Sequence, residues 1–195
     1  MEDVVLRREF LRVGGAGATA LVWGSVLEAG ECDETEDNIE GPFYKAGAPE
    51  RTAMVESGTP GTPLIVSGRV LDTRCQPVPN AILDVWHCDA DGVYDNTGYK
   101  MRGKLQAEKK GRYEIKTIVP PPYKAGPTTY RPAHLHLKLS ASNVPIRTTQ
   151  LYFEGDKYNA VDRAFRKSLA LRLKDGKKGV KLATFDFHLK TAVQS

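Results

Sequence analysis

The sequence predicts an all-β fold, an antiparallel β-sandwich with one short helix. Short apolar or alternating segments recur along the chain, and clusters of Gly, Pro, Asn and Asp separate them. Only one extended run, near the C-terminus, has helical spacing. With 195 residues and 41% hydrophobic content, the chain is long enough to bury one sizeable core and too short to expect two.

Six segments have the strand pattern, and turn-forming residues bound each of them. They comprise residues 63–72, 81–87, 112–119, 133–140, 148–153 and 180–189. Their number and length favour two packed antiparallel sheets. The helix is predicted over residues 159–174, where apolar residues recur at roughly helical spacing between basic ones: Ala160, Val161, Ala164, Phe165, Leu169 and Leu171.

The first thirty residues have the features of an export signal. Arg7 and Arg8 precede a mildly apolar run, residues 13–27, that is too short and glycine-rich to span a bilayer. We therefore expect residues 1–30 to be a twin-arginine-type signal segment, and an exported mature protein without a membrane span. The alternative is a cytoplasmic protein with an amphipathic N-terminal helix, because no clean Ala-x-Ala cleavage site stands between the apolar run, residues 13–27, and Cys32.

The cysteine count and the net charge exclude a few classes of function. Cys32, Cys75 and Cys88 allow one disulfide, and the sequence does not decide which pair forms it. Cys88 follows His87, but the absence of a C-x-x-C pair disfavours a zinc site. The net charge of +4 is modest, so nucleic-acid binding is not expected. Four lysines near a turn are explained as a solvated face: Lys174, Lys177, Lys178 and Lys181.

The most informative motif is Arg-Pro-Ala-His-Leu-His, which ends at His136 within the predicted strand 133–140. Alternate side chains of a strand share a face, so His134 and His136 point the same way. The intervening leucines point the other way and can fill a core. Two imidazoles converging from one strand are a metal-ligand arrangement.

Three other motifs accompany this one in a consistent order. Trp-His-Cys-Asp-Ala-Asp-Gly-Val-Tyr ends at Tyr94, Val-Pro-Pro-Pro-Tyr ends at Tyr123, and Thr-Thr-Gln-Leu-Tyr-Phe-Glu-Gly-Asp contains Gln150. Together they resemble the intradiol ring-cleaving dioxygenases, which include catechol 1,2-dioxygenases and protocatechuate 3,4-dioxygenases. The resemblance covers about residues 39–156 and implies a prealbumin-like sandwich, with residues 31–195 as the catalytic domain.

The resemblance also implies a non-haem Fe(III) cofactor, one per chain, with four protein ligands: Tyr94, Tyr123, His134 and His136. In that family the tyrosine at the place of Tyr123 is the axial ligand that dissociates. Arg131 corresponds to an arginine that lies against the bound ring, and Gln150 to a glutamine near the iron and substrate. Tyr130 competes for the role of second phenolate, but it stands where the family has no ligand.

Physical chemistry supports this ligand set independently. Fe(III) is a hard Lewis acid, so anionic oxygen donors suit it, and a trivalent cation should lower the pKa of a phenol well below about 10. Two tyrosinates and one hydroxide cancel the charge of the metal. A neutral cluster avoids the cost of a buried net charge.

The reaction implied by the resemblance takes a catechol-type aromatic diol and O2 to a cis,cis-muconate-type diacid. Residues 39–50 resemble the family's active-site-lining segment and are closer to the catechol branch. We expect no room ahead of this segment for the long helical dimerisation region of the catechol enzymes. Their quaternary structure therefore does not carry over, and whether this protein is a homo-oligomer stays open. Lys45 is the only cation that segment offers to a ring carboxylate, so neutral catechols are expected to be preferred over protocatechuate.

Two other classes of protein share parts of this pattern. A cupin uses an H-x-H strand but expects a glutamate soon after it, and no acidic residue follows His136 until Glu154. A non-catalytic transthyretin-like surface or binding module has similar turn-and-strand patterns but needs neither iron nor phenolate ligands. Bound iron with phenolate ligands would therefore distinguish a dioxygenase from the non-catalytic module.

Overall fold

The computed structural model describes residues 31–191, and strands dominate this part of the chain. The expected signal segment, residues 1–30, lies outside the described residues. No helix within 31–191 has the length and apolar character to cross a membrane. The strands are β1 (Pro63–Asp72), β2 (Ile82–Trp86), β3 (Arg102–Gln106), β4 (Arg112–Ile118), β5 (Tyr123–Lys124), β6 (Tyr130–Arg131), β7 (His134–Ala141), β8 (Val144–Phe153), β9 (Ala170–Leu171), β10 (Lys174–Asp175), β11 (Lys181–Thr184) and β12 (Phe187–Leu189).

These strands form two five-stranded sheets and a two-stranded ribbon. In one sheet β1 pairs antiparallel with β4 on one side and parallel with β11 and then β12 on the other, while β10 adds to β11. The second sheet has the order β3-β2-β7-β8-β9, and the ribbon pairs β5 with β6. The all-β prediction is confirmed. Most strand pairs are antiparallel as predicted, but both sheets are mixed, since β1–β11, β1–β12 and β8–β9 are parallel.

The predicted strand 180–189 divides into β11 and β12 because the chain is bent at Phe185 and Asp186. Phe185 N donates to Ser67 O, and a Cβ on Gly68 would lie 1.8 Å from Phe185 O. Glycine is therefore required for the two strand segments to approach this closely. β3, which the sequence pattern missed, begins with a buried arginine and a glycine instead of alternating apolar residues.

One hydrophobic core joins the two sheets. Apolar side chains from β1, β4, β11 and β12 pack with those from β2, β7 and β8 in a single buried cluster. Leu135, Leu137 and Leu139 of β7 are fully buried in it. The sandwich thereby fixes the direction of the intervening histidines, which point to the opposite face of the sheet, as predicted.

The predicted helix over residues 159–174 is wrong. This stretch contains turns, a short 3₁₀ helix at Lys167–Leu169 and the strands β9 and β10. Asn159 donates its side-chain amide to Phe153 O, and Asp162 accepts the backbone N–H of Ala164, so polar side chains compete with helical backbone bonds. Tertiary contacts then bury Leu169 and Leu171 in separate places along the sheet edge, which outweighs the helical spacing.

A disulfide joins Cys32 to Cys75 with 5.5 Å between their Cα atoms, while Cys88 is free and buried. From this bond the N-terminal strap, residues 31–41, runs across both sheets. Its backbone donates from Thr35 to His188 O and from Asn38 to Thr148 O, at 3.0 and 2.8 Å. The strap therefore reaches the open face of the second sheet next to β8.

Candidate metal centre

The two histidines of β7 converge as the strand pattern predicts. Their Nε2 atoms lie 3.1 Å apart, and both side chains are buried. His134 Nδ1 lies 2.7 Å from Pro132 O, and a carbonyl only accepts, so Nδ1 carries the proton. Nε2 of His134 consequently carries the lone pair, which is the form that a metal ligand needs.

His136 is held by a stacked tryptophan and by the close approach of the strap. Trp86, its cross-strand partner on β2, stacks on it at 4.9 Å with an interplanar angle of 8°. Gly41 of the strap passes close by, where a Cβ would lie 3.4 Å from His136 Cε1. His136 Nδ1 is buried without a hydrogen-bond partner. The imidazole is thus oriented by packing, with Nε2 turned towards His134.

Tyr94 brings a phenol to the same point from the loop that follows β2. Its hydroxyl lies 3.5 Å from His134 Nε2. Phe43 stacks on the Tyr94 ring at 4.2 Å, with 11° between the planes. The loop is shaped by Asp89, whose side chain accepts the backbone N–H groups of Asp91 and Val93. The geometry therefore brings together three of the four predicted ligands, Tyr94, His134 and His136.

Tyr123 completes the group from the β5–β6 ribbon. Its ring centroid lies 5.3 Å from that of Tyr94 and 5.6 Å from that of His134, and it is buried. Tyr130 occupies the other face of the ribbon, where it is 40% exposed and stacks on Tyr158. The structure thus clusters Tyr123, and not the competing Tyr130, with the histidines.

Burial sets the ionisation of these groups in the protein alone. Desolvation, with a smaller contribution from the Arg131 charge, lowers the pKa of His134 to about 3. Desolvation, followed by the neighbouring His134 and Arg131, also holds the pKa of His136 well below its ordinary value. Both imidazoles are therefore neutral donors at neutral pH. Burial raises the pKa of Tyr94 and of Tyr123, so these phenols need a nearby cation to ionise.

The donor set fits ferric iron. Two neutral imidazoles and two phenols that a trivalent cation would ionise match the preference of Fe(III) for nitrogen and anionic oxygen. Within residues 31–191 no group of three or more His, Cys, Asp or Glu side chains is arranged to hold a metal. A metal bound here therefore depends on the tyrosines. The zinc alternative fails at His87, whose ring nitrogens contact Cys88 O and Thr117 Oγ1 at 2.7 and 2.6 Å.

Arg131 and Gln150 lie beside the four ligands. Arg131 Nη1 is 3.2 Å from His134 Nε2, and its Nη2 donates to Gln150 Oε1 at 2.9 Å. Gln150 is the cross-strand partner of His136 and donates to Ile39 O of the strap at 2.6 Å. The predicted arginine and glutamine are thus joined to each other and to the first residues of the segment 39–50.

Two residues of this network were not predicted from the sequence. Asp162 accepts from Arg131 Nε at 2.9 Å, and Tyr152 Oη accepts from Arg131 Nη2 at 3.2 Å. Tyr152 follows Gln150 at the strand period of two, so its direction was available from the pattern. Asp162 was hidden because it fell within the helix that the structure does not form.

The comparisons with known proteins agree with this geometry. A family model described as Dioxygenase matches residues 39–191. A chlorocatechol 1,2-dioxygenase of Rhodococcus opacus is 36% identical in an alignment of 189 positions, which covers 80% of this chain and 74% of that protein. The chain belongs to the intradiol ring-cleaving dioxygenase family. Membership confirms the resemblance of the motifs and excludes the cupin alternative.

Other intradiol dioxygenases differ in how much of their length this chain matches. A catechol 1,2-dioxygenase of Acinetobacter baylyi is 36% identical, over 67% of this chain and 50% of its own length. The dioxygenase domain of a fusion with a carbohydrate-binding protein, from a cellulolytic Streptomyces, has 39% identity and a TM-score of 0.77. That structure covers 82% of this chain and is itself matched over 100% of its length. The chain thus spans about half of some relatives and a whole domain of another.

Proposed function

We propose that this protein is a ferric, non-haem intradiol dioxygenase. Its substrates would be a catechol-type aromatic diol and O2, and its product a cis,cis-muconate-type diacid. The observation that carries the proposal is the convergence of His134, His136 and Tyr94, with 3.1 Å between the two Nε2 atoms and 3.5 Å from Tyr94 Oη to His134 Nε2. Tyr123 is the fourth ligand in this proposal.

Ferric iron would be held by these four residues and would supply the Lewis acidity for the reaction of a bound catechol dianion with O2. The diol must lose two protons when it binds as a dianion. Tyr123 Oη is suited to take one of them, because its ribbon stands outside both sheets and the phenol is stable in its neutral form there. The second proton would go to the hydroxide that balances the charge of the substrate-free site, which would leave as water, so the buried charge stays constant as substrate enters.

Arg131 supplies a fixed positive charge next to the ligands. Its guanidinium is bonded to Asp162, Gln150 and Tyr152, so its orientation is set before substrate arrives. A cation held in this way stabilises negative charge that develops on the ring carbon attacked by O2. Gln150, tied to the strap through Ile39 O, keeps the arginine and the substrate-lining segment in register.

The proposed substrate is a catechol without a carboxylate on the ring. Lys45, the only cation within the lining segment 39–50, donates to the carbonyls of Thr97 and Gly98 and lies over the Tyr99 ring, at 4.4 Å from its centroid. These contacts already use the ammonium group. A buried carboxylate without a cation costs several kcal/mol, which favours neutral rings.

Export by the twin-arginine route remains part of the proposal. Arg7 and Arg8 support it, and a disulfide between Cys32 and Cys75 suits an oxidising compartment. A folded protein that acquires iron in the cytoplasm would need a route that carries folded cargo.

The activity is tested with iron-loaded protein and catechol in an oxygen electrode, with mass analysis of the product. We expect one O2 consumed per diol and a ring-opened diacid whose mass equals that of the substrate plus O2. Oxygen uptake that leaves the ring intact, or no uptake at full iron loading, would overturn the proposal.

A further inference from the structure

Arg102, at the start of β3, is a buried cation without a carboxylate partner. Its exposed fraction is 1%, and no ion pair involves it in the described part of the chain. Nε donates to Asp95 O at 3.0 Å and Nη1 to Phe43 O at 2.6 Å, whereas Nη2 is buried without any acceptor. A guanidinium in this position is costly unless an anion lies close to it.

The groups that can carry a negative charge near Arg102 are Asp95, Tyr94, Asp84 and Tyr99. Three of them are already engaged. The Asp95 carboxylate accepts the backbone N–H groups of Thr97, Gly98 and Lys100, Asp84 is bonded to Tyr44 and paired with Lys104, and the Tyr99 hydroxyl donates to Ala46 O. Tyr94 is the fourth, and its hydroxyl lies 3.5 Å from His134 Nε2. The Arg102 charge thus acts on a phenol that would become anionic on binding a metal.

The two bonds that Arg102 does form act on the same tyrosine. Asp95 follows Tyr94 in the chain, and Phe43 stacks on the Tyr94 ring at 4.2 Å. The guanidinium therefore ties the backbone next to Tyr94 to the residue that defines the plane of its ring. The fork of an arginine can hold both carbonyls at once, which a lysine cannot do.

We propose that Arg102 is a positioning residue for Tyr94, which fixes the ring through the carbonyls of Asp95 and Phe43 and places a permanent positive charge beside the anionic ligand. This inference rests on the proposed iron site. Arg131 acts on the bound substrate in the proposed mechanism, whereas Arg102 acts on the metal ligand Tyr94. Residues that orient a ligand in this way typically change metal affinity about 10- to 100-fold when they are removed.

The test compares R102M and R102K with R51K after loading with ferric iron. Arg51 is a matched control, because it also donates to backbone carbonyls, those of Tyr99 and Arg102, and it contacts neither Tyr94 nor Phe43. The measurements are the tyrosinate-to-iron absorption band, the iron dissociation constant and the melting temperature of each variant.

In R102M the loss of a positive charge near the phenolate raises the energy of the donor orbital. The band is expected to move to longer wavelength, and iron to bind about 10- to 100-fold more weakly. R102K retains the charge and should keep the band position while iron binding weakens. R51K should retain both properties even if its melting temperature falls.

Three outcomes would overturn the inference: an unchanged band in folded, iron-loaded R102M, an equal shift in R51K, or a shift in R102K as large as in R102M. If R102M does not fold, R102Q takes its place as the neutral variant, with the same expectations. A native protein that stays colourless at full iron loading would instead refute the proposed function. A coloured native protein whose band is insensitive to Arg102 refutes this inference alone.

Discussion

Arg131 Nε lies 2.9 Å from Asp162 Oδ2, and the two side chains are only 12% and 8% exposed. Asp162 is therefore the residue that fixes the direction of the proposed catalytic arginine. Desolvation is the largest single influence and works to lower the pKa of Arg131, but the Asp162 charge together with Tyr152 and Tyr123 raises it by more, and the net shift is upward. The guanidinium remains cationic and oriented without any contribution from the substrate.

The first prediction concerns this pair. D162N should lower kcat/KM for catechol by roughly 10- to 100-fold, since a catalytic group that is misplaced by about 1 Å loses that much. It should also lower the free energy of unfolding by about 3 kcal/mol, because a buried charge loses its partner.

The control for D162N is E154Q, which breaks the exposed pair between Arg172 and Glu154, with side chains 77% and 46% exposed. That change should cost less than about 1 kcal/mol and leave turnover intact. Equal effects of the two substitutions on kcat/KM, measured by oxygen uptake, would mean that Asp162 has no specific role.

The second prediction distinguishes the two candidate tyrosines. The iron-loaded protein should contain about one ferric ion per chain and be reddish, because tyrosinate-to-iron charge transfer absorbs visible light. Y123F should alter this band and slow turnover. Y130F should leave the band intact, since Tyr130 lies on the outer face of the ribbon. Loss of the band in Y130F would refute the assignment of Tyr123 as the second tyrosine ligand.

The third prediction follows from His87, a buried histidine outside the proposed site. Desolvation, the largest cause, lowers its pKa from 6.5 to about 4. Since the unfolded chain binds the proton more readily, this histidine contributes stability above pH 6.5 that is lost as the pH falls towards 4.

Between pH 7 and pH 5 the native protein should therefore lose about 2 kcal/mol more of its unfolding free energy than H87Q does. Urea unfolding of both chains at the two pH values, in the same metal state, measures the difference. Parallel losses in the two proteins would show that His87 does not remain neutral in the folded state.

The fourth prediction concerns export. Replacing Arg7 and Arg8 with lysine should retain full-length, folded, active enzyme inside the cell, because the export machinery reads the arginine pair. Cell fractionation with an activity assay and N-terminal mass analysis provides the readout. A native protein that stays in the cytoplasm with Met1 in place contradicts the signal assignment.

The fifth prediction concerns the substrate. kcat/KM should be higher for catechol than for protocatechuate, because Lys45 is committed to the Thr97 and Gly98 carbonyls. Steady-state kinetics with both diols decide it. A preference for protocatechuate that disappears in K45M would reverse this conclusion and identify Lys45 as the carboxylate-binding residue.

The sequence was most informative where local geometry and chemistry coincide. The period-two pattern around His134 and His136 predicted both the metal-facing and the core-facing sides of β7, and the structure has both. Gln150 was selected only by resemblance, and its position opposite His136 depends on the β7–β8 register, which the sequence alone does not give. The cysteine pair could not be chosen because Cys32 and Cys75 are 43 residues apart in sequence and meet only in the folded chain.

The C-terminal third was less predictable because long-range contacts decide its structure. Residues 159–174 have helical spacing, yet Phe165 packs edge-on against Tyr152 at 5.3 Å and Asp162 is bound to Arg131. Neither partner is local, so no window of sequence contains the competing interaction. Parallel pairing of β1 with β11 and β12 likewise joins segments that are distant in sequence and meet only in the fold.

The ligands of the proposed centre belong to elements of very different local stability. His134 and His136 lie on β7, the middle strand of a five-stranded sheet, so exposing their backbone requires nearly global unfolding. Tyr123 lies on a ribbon paired through only Tyr123–Arg131 and Lys124–Tyr130, which is joined to neither sheet. Amide hydrogens of the ribbon should exchange with solvent by local opening, orders of magnitude faster than those of β7. One coordination position can therefore open and close many times while the sandwich that holds the others stays folded.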